Sequence, residues 1–131
     1  MDALVNGFHH IKLPVTDVER SRDWYARVLG LETHIEFVEK GELMGVAMRD
    51  PDGSVDVALR RDAVRAAAMT GFDAVALRVP TPAALDEWQR RLGELGEPHD
   101  GIVTGHAGRV LVGLRDPDGI EVRLYLPAEK G

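Results

Sequence analysis

An internal repeat constrains the fold of this chain more than any other feature of its sequence. The segment that begins at His10 aligns with the segment that begins at Ala74, and in this register Trp24 falls on Trp88. The tetrapeptide Asp-Pro-Asp-Gly also occurs once late in each half, at residues 50–53 and 116–119. Because self-similarity at one spacing is the signature of repeated supersecondary structure, the sequence predicts two copies of one unit.

The first copy has the pattern of a βαβββ unit. Alternating apolar residues predict a strand over residues 8–15, and Asp17 is a candidate N-cap for a helix that continues to about Val28 and ends at Gly30. Two further β segments and the Asp-Pro-Asp-Gly turn then lead to a fourth strand at residues 55–59.

The second copy repeats this order of elements. Its first strand is predicted at residues 74–79, its helix from Pro82 to about Leu95, and its last strand at residues 120–126. An alanine-rich segment at residues 61–69 predicts a short helix that links the two copies.

We therefore predict one α+β domain over residues 1–131, because two separate domains of half this length would each be marginal. The predicted parts are a first module at about 6–60, a linker helix at about 61–70 and a second module at about 71–127. The helices must bury their apolar stripes against one face of the strands. The predicted architecture is a curved mixed sheet around a cavity, with the helices on the outer face.

The composition excludes several classes of function. With no cysteine, the chain offers no disulfide, no thiolate metal site and no cysteine nucleophile. A formal net charge of -6 disfavours a nucleic acid as partner, since such proteins usually carry a basic surface. The sequence shows neither a basic leader nor an apolar run long enough to span a bilayer, so we expect no membrane partner and a cytoplasmic location.

Strand alternation assigns a set of polar side chains to the cavity. If Leu13 and the other apolar positions of the first strand face the helix, His9 shares that side, and His10 and Lys12 face the cavity. The same parity in the other strands places Arg60 on the cavity face. The candidate ligand-binding residues are His10, Lys12, Asp56, Arg78, Glu121, Arg123 and Tyr125.

Two segments resemble the vicinal oxygen chelate superfamily, which comprises glyoxalases, bleomycin-resistance proteins and extradiol dioxygenases. Residues 8–17, with Trp24, Tyr25 and residues 28–31, resemble the opening of such a module, and residues 116–125 resemble its closing turn and strand. The resemblance covers essentially the whole chain. It implies the glyoxalase-like fold and a homodimer, because sheet edges in this family are usually covered by another pair of modules.

The resemblance also implies positions for a divalent metal on the first and last strands of the modules. His10 matches the first ligand, but Ala74 and Arg123 occupy two other ligand positions and cannot bind a cation. The remaining position is Asp56 or Ala58, depending on a strand register that the sequence leaves open. We therefore expect no cofactor; if a divalent metal binds, the rearranged ligands would be His10, Asp56 and Glu121.

Three possibilities remain open at this point, and the third is a degenerate domain that serves only in assembly. The first is binding of a small polar or anionic organic molecule in the sheet cavity, as in antibiotic sequestration, with Arg123 supplying positive charge in place of a metal. The second is an enzyme, either a metal-dependent glyoxalase, lyase, isomerase or dioxygenase, or a metal-free catalyst with His10 as acid or base. Arg123 and Glu121 could instead form an intrastrand ion pair with no role in function.

Overall fold

The computed structural model describes residues 3–129. The chain divides into two compact units, the first extending to Arg65 and the second beginning at Ala66. The first unit contains β1 (Ile11–Val15), α1 (Val18–Leu29), β2 (Glu32–Glu39), β3 (Glu42–Arg49) and β4 (Asp56–Arg61), and α2 (Ala63–Met69) follows. The second unit contains β5 (Val75–Arg78), α3 (Pro82–Leu95), β6 (Ile102–Gly105), β7 (Gly108–Arg115) and β8 (Glu121–Pro127).

Each unit forms one mixed sheet of four strands. The strand order is β1-β4-β3-β2 in the first sheet and β5-β8-β7-β6 in the second. In each sheet the strand before the helix pairs in parallel with the last strand of the unit, and the remaining pairs are antiparallel. The predicted α+β fold of two βαβββ units is therefore confirmed.

The helix α1 begins and ends where its capping residues, Asp17 and Gly30, stand. Asp17 precedes the helix in an extended conformation, and its carboxylate accepts a hydrogen bond from the backbone N–H of Arg20 over 3.1 Å. Gly30 ends the helix with a φ of 74°, a left-handed conformation that glycine adopts without steric cost. None of the helices within residues 3–129 combines the length and the apolar character needed to cross a membrane.

The core of the first unit lies between α1 and the outer face of the sheet. Leu13 of β1 and Leu59 of β4 are 3% and 1% exposed, and from the helix Tyr25 and Val28 are equally well buried. The apolar positions that strand alternation assigned to the helix side therefore do pack there. The opposite, inner face of the same strands is left for polar and small residues.

The first strand is shorter than the sequence predicted. The predicted strand began at Phe8, but β1 begins at Ile11, and the Phe8 side chain is 96% exposed. Residue alternation assigns faces only where the backbone is a paired strand, so it says nothing of residues 8–10.

Both Asp-Pro-Asp-Gly turns are held by their first aspartate. The Asp50 carboxylate accepts hydrogen bonds from the Val55 N–H over 2.8 Å and from the Ser54 hydroxyl over 2.7 Å. The Asp116 carboxylate accepts from the backbone N–H groups of Asp118 and Ile120 over 2.9 and 3.0 Å. These aspartates satisfy backbone donors where the chain reverses direction, which is the structural role their place in the motif indicates.

Candidate functional site

A cavity of about 500 Å³ lies on the inner face of the first sheet. The volume falls within the range of ordinary small-molecule sites. Its walls come from every strand of the first unit and from the segment just before β1. The lining residues are His9, His10, Lys12, His34, Ile35, Phe37, Ala47, Arg49, Asp56, Ala58, Leu59 and Arg60.

The middle of the cavity has a floor of small side chains. Ala58 of β4 is the register partner of Ala47 of β3, and the same row continues to Lys12 on one side and Ile35 on the other. The alanines place only methyl groups above the central strands, whereas the outer strands carry long side chains. The row therefore forms a shallow slot bounded by a cation and an apolar residue.

A second row borders the floor and carries Arg60. Gly45 lies between Arg60 and Phe37 in the register of β4, β3 and β2. A Cβ atom at Gly45 would stand 2.7 Å from the Leu59 carbonyl oxygen, so the strands approach too closely there for any other residue. Arg60 is bonded to the Glu39 carboxylate, and this hydrogen bond lowers the pKa of Glu39 despite the opposing effect of desolvation.

The third row carries a histidine that contacts both an arginine and a carboxylate. Arg49 and Asp56 are register partners, and Nη2 of Arg49 lies 2.9 Å from Nδ1 of His34. The same Nη2 atom lies 3.2 Å from Nε2 of the ring, and because a guanidinium only donates, the unprotonated ring nitrogen is the acceptor. Nε2 of His34 also lies 3.7 Å from Oδ1 of Asp56.

A β-bulge brings His34 into the cavity. The register of β2 and β3 shifts between Thr33 and Ile35, which leaves His34 without a directly opposed partner. The extra residue allows the consecutive residues His34 and Ile35 to line the same cavity, although neighbours in a regular strand point to opposite faces.

His9 and His10 both lie at the cavity, and their Nδ1 atoms are 2.8 Å apart. The prediction that His9 faces the helix side is wrong, because the regular strand begins only at Ile11 and alternation does not extend to these residues. The short distance requires one ring nitrogen to donate and the other to accept.

The predicted site residues divide between the two units. His10, Lys12 and Asp56 line the cavity of the first unit together with Arg60. The other four lie on the strands β5 and β8 of the second unit, and the parallel register there pairs Arg78 with Tyr125. The role of each of these residues in binding stays a prediction.

Arg123 forms ion pairs within the second unit. Its Nε lies 2.6 Å from Oε2 of Glu121, and its Nη1 lies 3.2 Å from Oδ2 of Asp73. The hydrogen bond to Glu121 is the main cause that raises the pKa of Arg123. Glu121 is only 7% exposed, so this pair is not the fully solvated one that the simplest interpretation of the strand implied.

The side chains that the family resemblance implies as ligands of a divalent metal do not form a cluster within residues 3–129. In the part of the chain that the structure describes, no three histidine or carboxylate side chains stand close enough together to hold a metal ion. The carboxylate of Glu121, one of the alternative ligands, is bound by Arg123. Asp56, another of them, lies beside His34 rather than in a cluster of ligands.

Strand alternation in β3 could have predicted that Arg49 faces the cavity, which the sequence analysis missed. Val46 and Met48 are fully buried on the outer face, so Gly45, Ala47 and Arg49 point inward. His34 offered no such signal, because a bulge is a property of the pairing of two strands and leaves no mark on the alternation of one.

The chain is similar to known proteins over nearly its whole length. Residues 7–124 match the Glyoxalase/Bleomycin resistance protein/Dioxygenase superfamily. The putative ring-cleaving dioxygenase MhqA of Bacillus subtilis (strain 168) is 30% identical over 133 residues, which cover 96% of this chain and 41% of that protein. The chain thus spans well under half the length of this curated relative.

Solved structures show the same fold at lower identity. A glyoxylase/bleomycin resistance protein/dioxygenase domain from Frankia sp. EAN1pec superposes with a TM-score of 0.76 at 23% identity, covering 98% of this chain and 96% of that one. TnmS3, an antibiotic binding protein from Streptomyces sp. CB03234, gives 0.73 at 19% identity, covering 96% and 100%. The fosfomycin resistance protein FosX from Listeria monocytogenes gives 0.72 at 15% identity, covering 95% and 96%. The repeated βαβββ units and the match over residues 7–124 establish that the chain belongs to the glyoxalase/bleomycin resistance protein/dioxygenase superfamily.

Proposed function

We propose that the chain binds a small polar or anionic organic molecule in the cavity of its first unit, in the manner of antibiotic sequestration, and that no divalent metal takes part. The observation that carries the proposal is the balance of charge around the cavity. Lys12, Arg49 and Arg60 are the cations that line it, Asp56 is the carboxylate among the lining residues, and Glu39 offsets Arg60, so that positive charge remains although the chain as a whole has a net charge of -6. A concave, partly apolar site with a few convergent cations selects anionic or strongly polar ligands.

The histidines of the cavity are each held by a hydrogen bond, His34 by Arg49 and His9 and His10 by each other. Side chains held in this way keep a fixed geometry, which suits the recognition of a bound ligand. The antibiotic-binding name of TnmS3 supports the same proposal at the level of a shared fold.

The test is a thermal-shift screen of carboxylate-bearing and strongly polar metabolites and antibiotics, followed by calorimetry on each hit. A ligand of the cavity should bind Arg49→Met more weakly than the wild type by about 1.5–3 kcal/mol, the range for a hydrogen bond to a charged group. Arg61→Met is the matched control, because Arg61 lies in the same sheet, bonds Glu42 and stands outside this cavity. Equal losses in the two variants would refute binding in the cavity.

A second candidate is an enzyme of the lyase, isomerase or dioxygenase type. The observation in its favour is the similarity to MhqA, which is described as a putative ring-cleaving dioxygenase. Stoichiometric metal in the purified protein, lost in His10→Ala, would favour this candidate.

We also propose that the chain acts as a homodimer in the cytoplasm. All eight residues of β2 are exposed, and this edge strand carries Ile35, Phe37 and Val38 at 44%, 43% and 61% exposure. An exposed apolar edge strand is prone to aggregation unless another chain covers it. The absence of cysteine suits a reducing compartment. Light scattering at micromolar concentrations should give twice the monomer mass, and a monomer mass throughout would contradict the dimer.

A further inference from the structure

The alanine floor of the cavity offers a flat surface to a ligand. Ala47 and Ala58 lie side by side on neighbouring antiparallel strands, whose axes are about 4.8 Å apart in a regular sheet. The row of Gly45, two residues further along, does not continue this floor, because the Cδ atom of Arg60 lies 3.6 Å from the Cβ position of Gly45. A planar ring on such a surface makes dispersion contacts over its whole face, which a puckered ring does not.

An apolar wall stands at one edge of this floor. Ile35 and Phe37 of β2 both line the cavity and are 44% and 43% exposed, so they are apolar groups available to a ligand rather than part of the core. An aromatic ligand gains from an edge or face contact with Phe37 in addition to the area that it buries.

Two cations at the edges of the floor, Lys12 on β1 and Arg49 at the end of β3, are not neutralised by a carboxylate. Within residues 3–129, neither Lys12 nor Arg49 forms an ion pair with an acidic side chain, and Arg49 instead bonds the imidazole of His34. Arg60 differs, because Glu39 is bonded to it. By ideal sheet spacings the Cα atoms of Lys12 and Arg49 stand about 12 Å apart, and both side chains are long enough to reach a group midway between them.

The net charge of Lys12, Arg49 and Asp56 determines which ligand charge the cavity favours. Asp56 is the register partner of Arg49 and faces the same cavity. The two positive charges of Lys12 and Arg49 and the one negative charge of Asp56 leave a net charge of +1. A monoanion balances this charge better than a phosphate dianion does. A guanidinium also bonds the two oxygens of a carboxylate in parallel.

We infer that the ligand is a flat aromatic carboxylate, whose ring lies on Ala47 and Ala58 against Phe37 and whose carboxylate is held between Lys12 and Arg49. This inference rests on the proposed binding function and narrows it to one chemical class. It requires no metal and no residue of the second unit.

The experiment compares three probes by calorimetry: a naphthalene carboxylate, its neutral carboxamide and cyclohexanecarboxylate. The naphthalene carboxylate should bind at least about tenfold more tightly than its carboxamide, since one hydrogen bond between charged groups corresponds to a factor of ten or more. It should also bind more tightly than cyclohexanecarboxylate, because a puckered ring loses contacts with the flat floor. Its affinity should fall by a similar factor in Lys12→Met and Arg49→Met and stay within twofold in Arg61→Met. Carboxamide binding as tight as carboxylate binding would overturn the inference.

A variant of the floor tests the position of the ring. Ala58→Leu raises a branched side chain above the floor and should abolish binding of the naphthalene carboxylate, with Ala58→Val as the milder variant if the first fails to fold. Circular dichroism and thermal unfolding establish that each variant is folded. Undiminished affinity in a folded variant would place the ring elsewhere and overturn the inference.

The experiments can refute the aromatic carboxylate without refuting the proposed binding function. If the naphthalene carboxylate does not bind while another compound from the screen binds in a way that depends on Arg49, the aromatic carboxylate is wrong and the binding function stands. If no compound binds in a way that depends on Arg49, both proposals are wrong.

Discussion

The Nε atom of Arg123 lies 2.6 Å from Oε2 of Glu121, two residues earlier on the same strand, and the glutamate side chain is 9% exposed. Arg123→Ala would leave this carboxylate largely buried without its main partner. We expect a loss of about 1–3 kcal/mol in the free energy of unfolding, the cost of leaving a buried group unsatisfied. Urea denaturation of the wild type and the variant measures it.

The double variant Arg123→Ala with Glu121→Gln is the control for this loss. A neutral amide does not need a cation beside it, so part of the stability should return. If Arg123 also contacts the ligand, as the sequence analysis predicted, Arg123→Ala weakens binding by about 1.5–3 kcal/mol in addition. A variant as stable as the wild type would show that the pair contributes no more than a solvated one.

Gly45 should be the least replaceable glycine of the first sheet. In Gly45→Ala the new methyl group would stand 2.7 Å from the Leu59 carbonyl oxygen, which belongs to the backbone and cannot move aside alone. We expect a loss of about 1–3 kcal/mol, the usual cost of overpacking. Gly93→Ala is the matched control: nothing lies within 4 Å of its added Cβ atom in the helix α3. It should gain up to about 1 kcal/mol from helix propensity. A Gly45→Ala variant with the same free energy of unfolding as the wild type would contradict the prediction.

The Asp50 turn should make the stability of the chain sensitive to acid. Partial desolvation opposes the shift, but hydrogen bonds from Ser54 and Val55 lower the pKa of Asp50 in the folded chain. A lowered pKa means that the folded state binds its proton less readily than the unfolded state does. The stabilisation is therefore complete above the unfolded-state pKa of about 3.9 and is lost as the pH falls through the lower folded-state value.

Thermal unfolding of the wild type and Asp50→Asn between neutral and strongly acidic pH tests this linkage. Asparagine keeps an acceptor for the Val55 N–H but has no charge to titrate. The difference in melting temperature between the two proteins should shrink as the pH falls below 4, because both then carry a neutral side chain. A constant difference across the whole range would show that Asp50 does not contribute to the acid sensitivity.

Metal analysis tests the proposal that no divalent ion takes part. After purification without chelator, we expect well below one equivalent of iron, manganese, nickel, cobalt or zinc per chain. The physical reason is that Ala74 offers no donor atom, while Arg123 places a permanent positive charge where the family resemblance implies a ligand. One equivalent that disappears in His10→Ala would reverse the ranking of the two candidate functions.

The sequence could predict those features of the fold that depend only on residues close together in the chain. Asp17 and Gly30 were assigned as the ends of the first helix because capping depends on residues within one turn, and both assignments are confirmed. The buried faces of β1 and β4 were likewise predicted from alternation, since Leu13 and Leu59 mark the core side. These features need no knowledge of the partner strand.

The parts of the site that the sequence could not predict depend on pairing. The register that places Lys12 opposite Ala58 was open, because either of two registers kept the same faces buried. His34 enters the cavity through a bulge between β2 and β3. His9 was assigned to the wrong side because the start of β1 is set by its pairing with β4 rather than by the alternation of its own residues.

The parallel pairing of Ile11 with Val57 joins the two ends of the first unit, and this has a consequence for the order in which the unit folds. Strands β2, β3 and β4 follow one another through short turns, whereas β1 can pair only after a long loop has closed at an entropic cost. We expect hydrogen exchange to show the amides of β1 opening before those of β3. The alanine floor and Arg49 are then in place early and Lys12 is added last, so that a partly folded chain has the surface for the ring but only one of the two cations that hold the carboxylate.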